Sequence, residues 1–297
     1  MENGEIKYLD RATGEVITES VMGDAALRFA YNTLLGRTLW PMLFGGKFIS
    51  SLMGRYYDSP RSRKDIARLT AIPGCRPEEA EHPAEYYNSF NDFFARRLKA
   101  GSRPVDDDEN HLASPADGKI LVHSNLLPST PIPVKGAKRS INELCGETLP
   151  EKTVTVAVIR LAPVDYHRYH YPCDCRLTSD IRVIPGKYHS VNPVALLRRP
   201  DLFVENTRHV AELYSPVWGN FRMIEVAAFG VGSIIQTCCG NEFKKLDEKG
   251  FFKFGGSTVI LVFEDDKIRF DEDILTASAQ NMEVLVRCGS CIGKRFF

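Results

Sequence analysis

Two regimes of hydrophobic patterning divide the chain near residue 104. Before it, apolar residues recur at helical spacing. From Ala25 to Tyr57, residues such as Leu27, Phe29, Leu34, Leu39, Trp40, Phe44, Phe48, Ile49 and Leu52 are interleaved with Arg28, Arg37, Lys47 and Arg55. Gly36, Pro41 and the Gly45-Gly46 pair break this stretch into short helices rather than one rod. A second helix is predicted over Tyr86–Leu98, where Phe90, Phe93, Phe94 and Leu98 share one face after a candidate N-cap at Ser89. From Pro104 onward, short β-rich runs separated by glycine and proline turns take over. Lys119–His123, Thr153–Leu161, Asp180–Ile184, Met223–Ala228, Thr258–Phe263 and Met282–Arg287 read as strands. The expected class is α+β, with helices in residues 1–103 followed by a mostly antiparallel sheet or barrel-like core in residues 104–297.

Composition narrows the function classes. The chain has 297 residues, 43% of them hydrophobic, which is enough for a substantial core. Its 38 basic residues balance 38 acidic ones, so no global charge excess points to nucleic acid. No run of eighteen apolar residues suggests a spanning helix. Eight cysteines accompany a polar, acidic Met1–Glu19 that does not resemble a secretory signal, so a reducing cytosolic setting is expected. Cys173-x-Cys175 and Cys288-x-x-Cys291 lack the matched partner pairs of a zinc knuckle, and no metal is expected. The basic, apolar Ala25–Tyr57 stretch, followed by Arg61, Arg63 and Lys64, suits a helix lying on an anionic bilayer. Helices covering the domain's own core would show a similar pattern.

Three segments carry reactive side chains beside turns or strand ends: Ser114–Gly118 with Asp117, Asp165–His170 with His167 and His170, and Phe254–Thr258 with Ser257. Each alone is an ordinary turn. Together they supply an acid, a base and a hydroxyl, the inventory of an activated nucleophile. A serine hydrolase using Asp117, His170 and Ser257 is one reading, although Ser257 lacks the Gly-x-Ser-x-Gly elbow. A non-enzymatic lipid-binding protein anchored by its N-terminal helices is another.

The combination resembles the phosphatidylserine decarboxylase family from about Ser89 to the end of the chain. The resemblance is carried by Phe90–Leu98, Ser114–Gly118, Asp165–His170, Ser190–Asn192, Val231–Ile234 and Phe252–Thr258. The last motif is often Leu-Gly-Ser-Thr in the family. Here Gly255-Gly256-Ser257-Thr258 keeps the glycine before the serine.

The resemblance implies a self-processing enzyme that cuts itself between Gly256 and Ser257 into residues 1–256 and 257–297. Ser257 becomes a covalent pyruvoyl cofactor, which forms a Schiff base with phosphatidylserine and yields phosphatidylethanolamine and CO2. Such a ketone replaces pyridoxal phosphate as the electron sink that no ordinary side chain provides. Asp117 and His170 are implied to form the relay that deprotonates Ser257, and His167 to assist decarboxylation or protonate the resulting carbon. The division of labour between the two histidines stays open. The resemblance also favours docking of residues 25–57 on a membrane, as a peripheral protein on the cytoplasmic face, with the two chains remaining associated. Pairing of processed units as homodimers is left open.

Overall fold

The computed structural model describes residues 7–19, 47–131, 138–187, 201–228, 234–255 and 257–296, with the side chains of residues 47–51 excepted. Most of the Ala25–Tyr57 stretch, Gly256, Ser190–Asn192 and Val231–Ser233 lie outside the described residues.

An N-terminal hairpin, β1 (Lys7–Asp10) and β2 (Val16–Thr18), precedes the helix Lys47–Tyr57. The predicted Tyr86–Leu98 helix is shorter than its pattern suggested. Residues Ala84–Tyr86 form a 3-10 turn and Phe90–Phe94 the helix proper, started by Ser89, whose hydroxyl accepts the Asp92 N–H. Phe90, Phe93 and Phe94 are fully buried, forming a small aromatic core with Tyr57, Tyr87, Val164 and Phe254.

The C-terminal two thirds are mainly strands, with the helices Ile141–Cys145, Leu202–Glu205 and Glu272–Ala279 between them: β3 (His111–Ala113), β4 (Gly118–Leu126), β5 (Val154–Leu161), β6 (Arg168–His170), β7 (Cys175–Leu177), β8 (Arg182–Ile184), β9 (Arg208–Ser215) and β10 (Gly219–Ala227). They continue as β11 (Ile234–Gln236), β12 (Glu242–Phe243), β13 (Glu248–Phe252), β14 (Ser257–Glu264), β15 (Ile268–Phe270), β16 (Glu283–Val286) and β17 (Cys291–Arg295). Each of the six predicted strands is present. Eleven strands form one sheet in the order β12-β7-β9-β10-β14-β5-β4-β16-β1-β2, with β8 beside β9. It is open, with β12 and β2 at its ends, rather than closed into the barrel-like core the sequence allowed. Its pairings are antiparallel except β1 with β16. β11-β13-β6 and β15-β17-β3 form two three-stranded sheets.

Strand β14 occupies the middle. It pairs along its length with β5 and β10, with Ser257 opposite Leu161 on one side and Ala227 on the other. Both faces are covered, which explains its nearly unbroken apolar run. Val259, Leu261 and Phe263 enter one hydrophobic layer; Ile260 and Val262 enter the other. Ser257 shares the face of the odd-numbered residues. Gly118 opens β4 because a Cβ there would lie 2.6 Å from the Arg160 carbonyl oxygen.

Ile260, 1% exposed at the centre of this strand, is expected to cost roughly 2–5 kcal/mol on truncation to alanine. Urea unfolding of Ile260→Ala measures this, and a loss below about 1 kcal/mol would contradict a central, two-faced β14.

Candidate active site

The strand registers bring the reactive segments to one end of the sheet. Asp117 immediately precedes β4, Leu161 ends β5, and Ser257 begins β14, so the three lie on adjacent strands at the same edge. The Ala162–His167 turn leaving β5 then passes over that edge.

Ser257 is completely buried, and its Oγ has no hydrogen-bond partner among the described residues. The chain before it is held by a different element. Phe254 donates its N–H to Asn91 Oδ1 at 2.8 Å, and Asn91 Nδ2 donates to Asp58 Oδ1 at 2.9 Å. Lys253 Nζ pairs with the same Asp58 at 2.8 Å. The Phe254 ring packs edge-on against Tyr57, Phe90 and Phe94. Residue 254 therefore belongs to the helical cap and residue 257 to the sheet. Gly255 lies in the short span between them with φ 151°, a region that side chains resist.

Asp117 is also fully buried, and its carboxylate accepts four hydrogen bonds. They come from Arg103 Nε (2.8 Å) and Nη2 (2.5 Å), Arg287 Nη1 (3.1 Å) and the Cys288 N–H (2.9 Å). Arg103 and Arg287 are functional neighbours that no spacing in the sequence pointed to. Arg103 also pairs with Glu79 at 2.7 Å and lies 5.8 Å from the centre of the Tyr166 ring.

His170 is bound elsewhere. Its Nδ1 lies 3.0 Å from the Leu246 carbonyl oxygen and its Nε2 3.3 Å from the Tyr166 hydroxyl. A carbonyl can only accept, so Nδ1 carries the proton and Nε2 keeps its lone pair. Burial lowers the proton affinity of His170, opposed in part by Leu246, Glu248 and the charge of Asp117. The structure thus brings Asp117 and His170 to one locality, Arg103 standing beside both Asp117 and Tyr166, without a direct bond between them. His170 lines a cavity of about 650 Å³ with Arg97, Arg103, Tyr166, Thr237 and Cys288.

His167 is fully buried, its ring 3.8 Å from that of Phe94. Its Nδ1 donates to the Asp165 carbonyl at 2.9 Å, which leaves Nε2 as an acceptor, and that atom has no partner among the described residues. Burial pushes its pKa down to about 3. Asp165 shapes the turn: its carboxylate accepts the Ala162 N–H at 2.7 Å and Lys119 Nζ at 2.9 Å. Burial would raise the Asp165 pKa, but Lys119 and the Ala162 N–H outweigh it and hold the group ionised.

The site thus holds a buried hydroxyl at the head of a locked strand, without a hydrogen-bond partner among the described residues, after a pinned loop; the two imidazoles stand on the segment that follows its neighbour β5. Ser257 opens a strand, unlike the nucleophile of a strand-to-helix elbow. The family model for phosphatidylserine decarboxylase matches residues 90–294. A phosphatidylserine decarboxylase proenzyme of Fusobacterium nucleatum subsp. nucleatum is 39% identical over 293 residues, covering 97% of each chain. Those of Clostridium novyi and Ruminiclostridium cellulolyticum are 40% and 38% identical, covering 98% and 97% of this chain and 99% and 97% of their own. The chain belongs to the phosphatidylserine decarboxylase family.

The buried neutral His167 predicts acid sensitivity. As pH falls below about 6.5 the unfolded chain takes up a proton that folded His167 refuses until about pH 3. Stability is therefore lost across that window, by at most about 1.4 kcal/mol per pH unit from this residue. Denaturation midpoints between pH 6.5 and 5 should fall less steeply in His167→Gln than in wild type. Equal slopes would show that His167 is not the buried neutral group described.

Proposed function

We propose that the chain cuts itself between Gly256 and Ser257, and that the processed protein decarboxylates phosphatidylserine to phosphatidylethanolamine through a pyruvoyl group made from Ser257. The observation that carries this reading is the Ser257 hydroxyl, buried without a partner among the described residues, while the residues on either side of the Gly255-Gly256 span are held by different elements. A buried hydroxyl left unbonded is costly, and such costs persist where function uses them. The printed names of the relatives, decarboxylase proenzymes, agree with a precursor that is processed.

In the self-cleavage step the Ser257 Oγ attacks the carbonyl carbon of Gly256. The carbon–nitrogen bond breaks, an ester replaces the amide, and the hydroxyl proton passes through a base to the freed nitrogen. His170 is assigned as that base: with Nδ1 donating to Leu246, its Nε2 is the unprotonated nitrogen, and the Tyr166 hydroxyl that donates to it must give way for the proton. Asp117 acts through its charge, fixed by Arg103 and Arg287. Loss of the Ser257 α-proton then expels the Gly256 carboxylate and leaves a dehydroalanine. Its imine tautomer adds water and releases ammonia.

A ketone at residue 257 supplies the electron sink that decarboxylation requires. Ser257 is suited to carry it, since it sits at a fixed strand end near the His167 turn. His167 is assigned to proton exchange at the substrate α-carbon after the carboxylate has left. Burial disfavours its imidazolium, so a proton placed there is given up readily.

The large chain, residues 1–256, and the small chain, residues 257–297, stay together through the ladders of β14 with β5 and β10. The protein docks peripherally on the cytoplasmic face of the membrane. Among the described residues no helix is long and apolar enough to cross a bilayer. Leu52 is exposed beside exposed Arg55, Arg61, Arg63 and Lys64, a basic and apolar surface suited to anionic lipid.

Processed protein incubated with phosphatidylserine vesicles should release CO2 in step with phosphatidylethanolamine. Ser257→Ala should remain one folded chain and release none; decarboxylation by that variant at the wild-type rate would sink the proposal. Asn91→Ala, which unpins Phe254, should slow self-cleavage roughly tenfold, about the worth of one buried hydrogen bond. Unchanged kinetics would remove the Asn91 anchor from the mechanism.

A further inference from the structure

Among the described residues, Arg96 is a buried charge without a counter-ion. It lies just beyond the helix Phe90–Phe94, is 3% exposed, and holds its guanidinium 4.8 Å from the centre of the Phe93 ring. Nη1 and Nη2 reach the carbonyl oxygens of Phe93 and Val164 only at 3.5 Å, the outer limit of a hydrogen bond. Nε has no partner among the described residues. The acids of this region are committed elsewhere: Asp117 to Arg103 and Arg287, Glu79 to Arg103 and Arg76, and Asp165 to Lys119. Burial lowers the proton affinity of Arg96, yet a guanidinium does not give up its proton in a protein.

An isolated cation out of water is unfavourable unless an anion joins it. Two further buried atoms nearby, Tyr87 Oη and His167 Nε2, also have no hydrogen-bond partner among the described residues. Val164, which Arg96 touches, lies midway along the turn between Leu161, the strand partner of Ser257, and His167. The aromatic ring of Phe94, two residues before Arg96, packs against His167 itself. A planar fork of donors therefore stands behind the turn that carries the decarboxylation residue.

We propose that Arg96 receives an oxyanion of the substrate headgroup, either its phosphodiester or its carboxylate. This rests on the decarboxylase reading above. The headgroup presents both anions within a few bonds of the reacting carbon, and a guanidinium matches either with paired donors. Arg96 thereby discriminates an anionic phosphoserine headgroup from neutral amines of similar size.

The test uses processed enzyme with phosphatidylserine in mixed micelles. Arg96→Gln should self-cleave as wild type does, while its KM rises about tenfold and kcat changes less. Inhibition by added phosphatidylethanolamine, which keeps the phosphodiester and lacks the carboxylate, separates the two sources. Weakened inhibition in Arg96→Gln assigns the phosphodiester, and unchanged inhibition beside a raised KM assigns the carboxylate. An unchanged KM overturns the proposal and leaves Arg96 satisfied by water alone. If Arg96→Gln is not processed, Arg96→Lys decides: it keeps the charge but loses the fork, so its KM should rise several-fold, and a wild-type KM overturns the proposal. Failure of both variants to self-cleave would make Arg96 structural and also overturn it. Wild-type protein that is never cleaved, or never releases CO2, would instead remove the underlying decarboxylase reading.

Discussion

Strand β14 is clamped between β5 and β10 from Ser257 to Glu264, and this double ladder fixes where the hydroxyl of Ser257 must be. Because every side chain from Ser257 to Phe263 is buried, the strand can neither slip by a residue nor turn over without driving polar atoms into both hydrophobic layers. The hydroxyl is consequently held in the interior, without a partner among the described residues. The segment before it has a second, independent anchor in Asn91 and the aromatic cap. A glycine pair joins these two fixed points, and the same ladders explain how a chain could be cut there without coming apart.

Buried charge organises the rest of the site. Asp117 is tied by two arginines from distant parts of the chain, and Asp165 by Lys119 from the strand that follows Asp117. The Asp165 pair braces the turn that carries His167. The histidines themselves remain neutral because burial outweighs the nearby carboxylates. A neutral imidazole with a free lone pair can accept a proton, whereas one salt-bridged to Asp117 would be held as a cation. The contact of Arg103 with Asp117 thus has chemical as well as structural weight.

Much of this fold was legible in the residue pattern. The strands announce themselves by alternation or by continuous β-branched runs, and Ser89 caps its helix as its position suggested. The N-terminal hairpin was not legible. Tyr8, Leu9, Val16 and Ile17 are too few to signal strands, and they form them because β1 finds β16, some 275 residues away. The helix at Phe90 stops at Phe94 because Ala95 and Arg96 turn away to meet Val164 and Arg168. At the site, Asp117, His167, His170 and Ser257 could be selected from their motifs, and strand register places Asp117 and Ser257 at one edge. The arginines could not be selected. What sets them apart is which acids they pair with and, for Arg96, that it pairs with none among the described residues, and neither property is local in sequence.

The mass of the purified wild-type protein tests the central claim most directly. The account predicts two chains that co-elute under native conditions, the smaller beginning at residue 257 with a blocked, carbonyl-bearing terminus that gains mass on reduction with borohydride in the presence of an amine. A single species of 297 residues after prolonged native incubation, or a small chain that still begins with an intact serine, would contradict it.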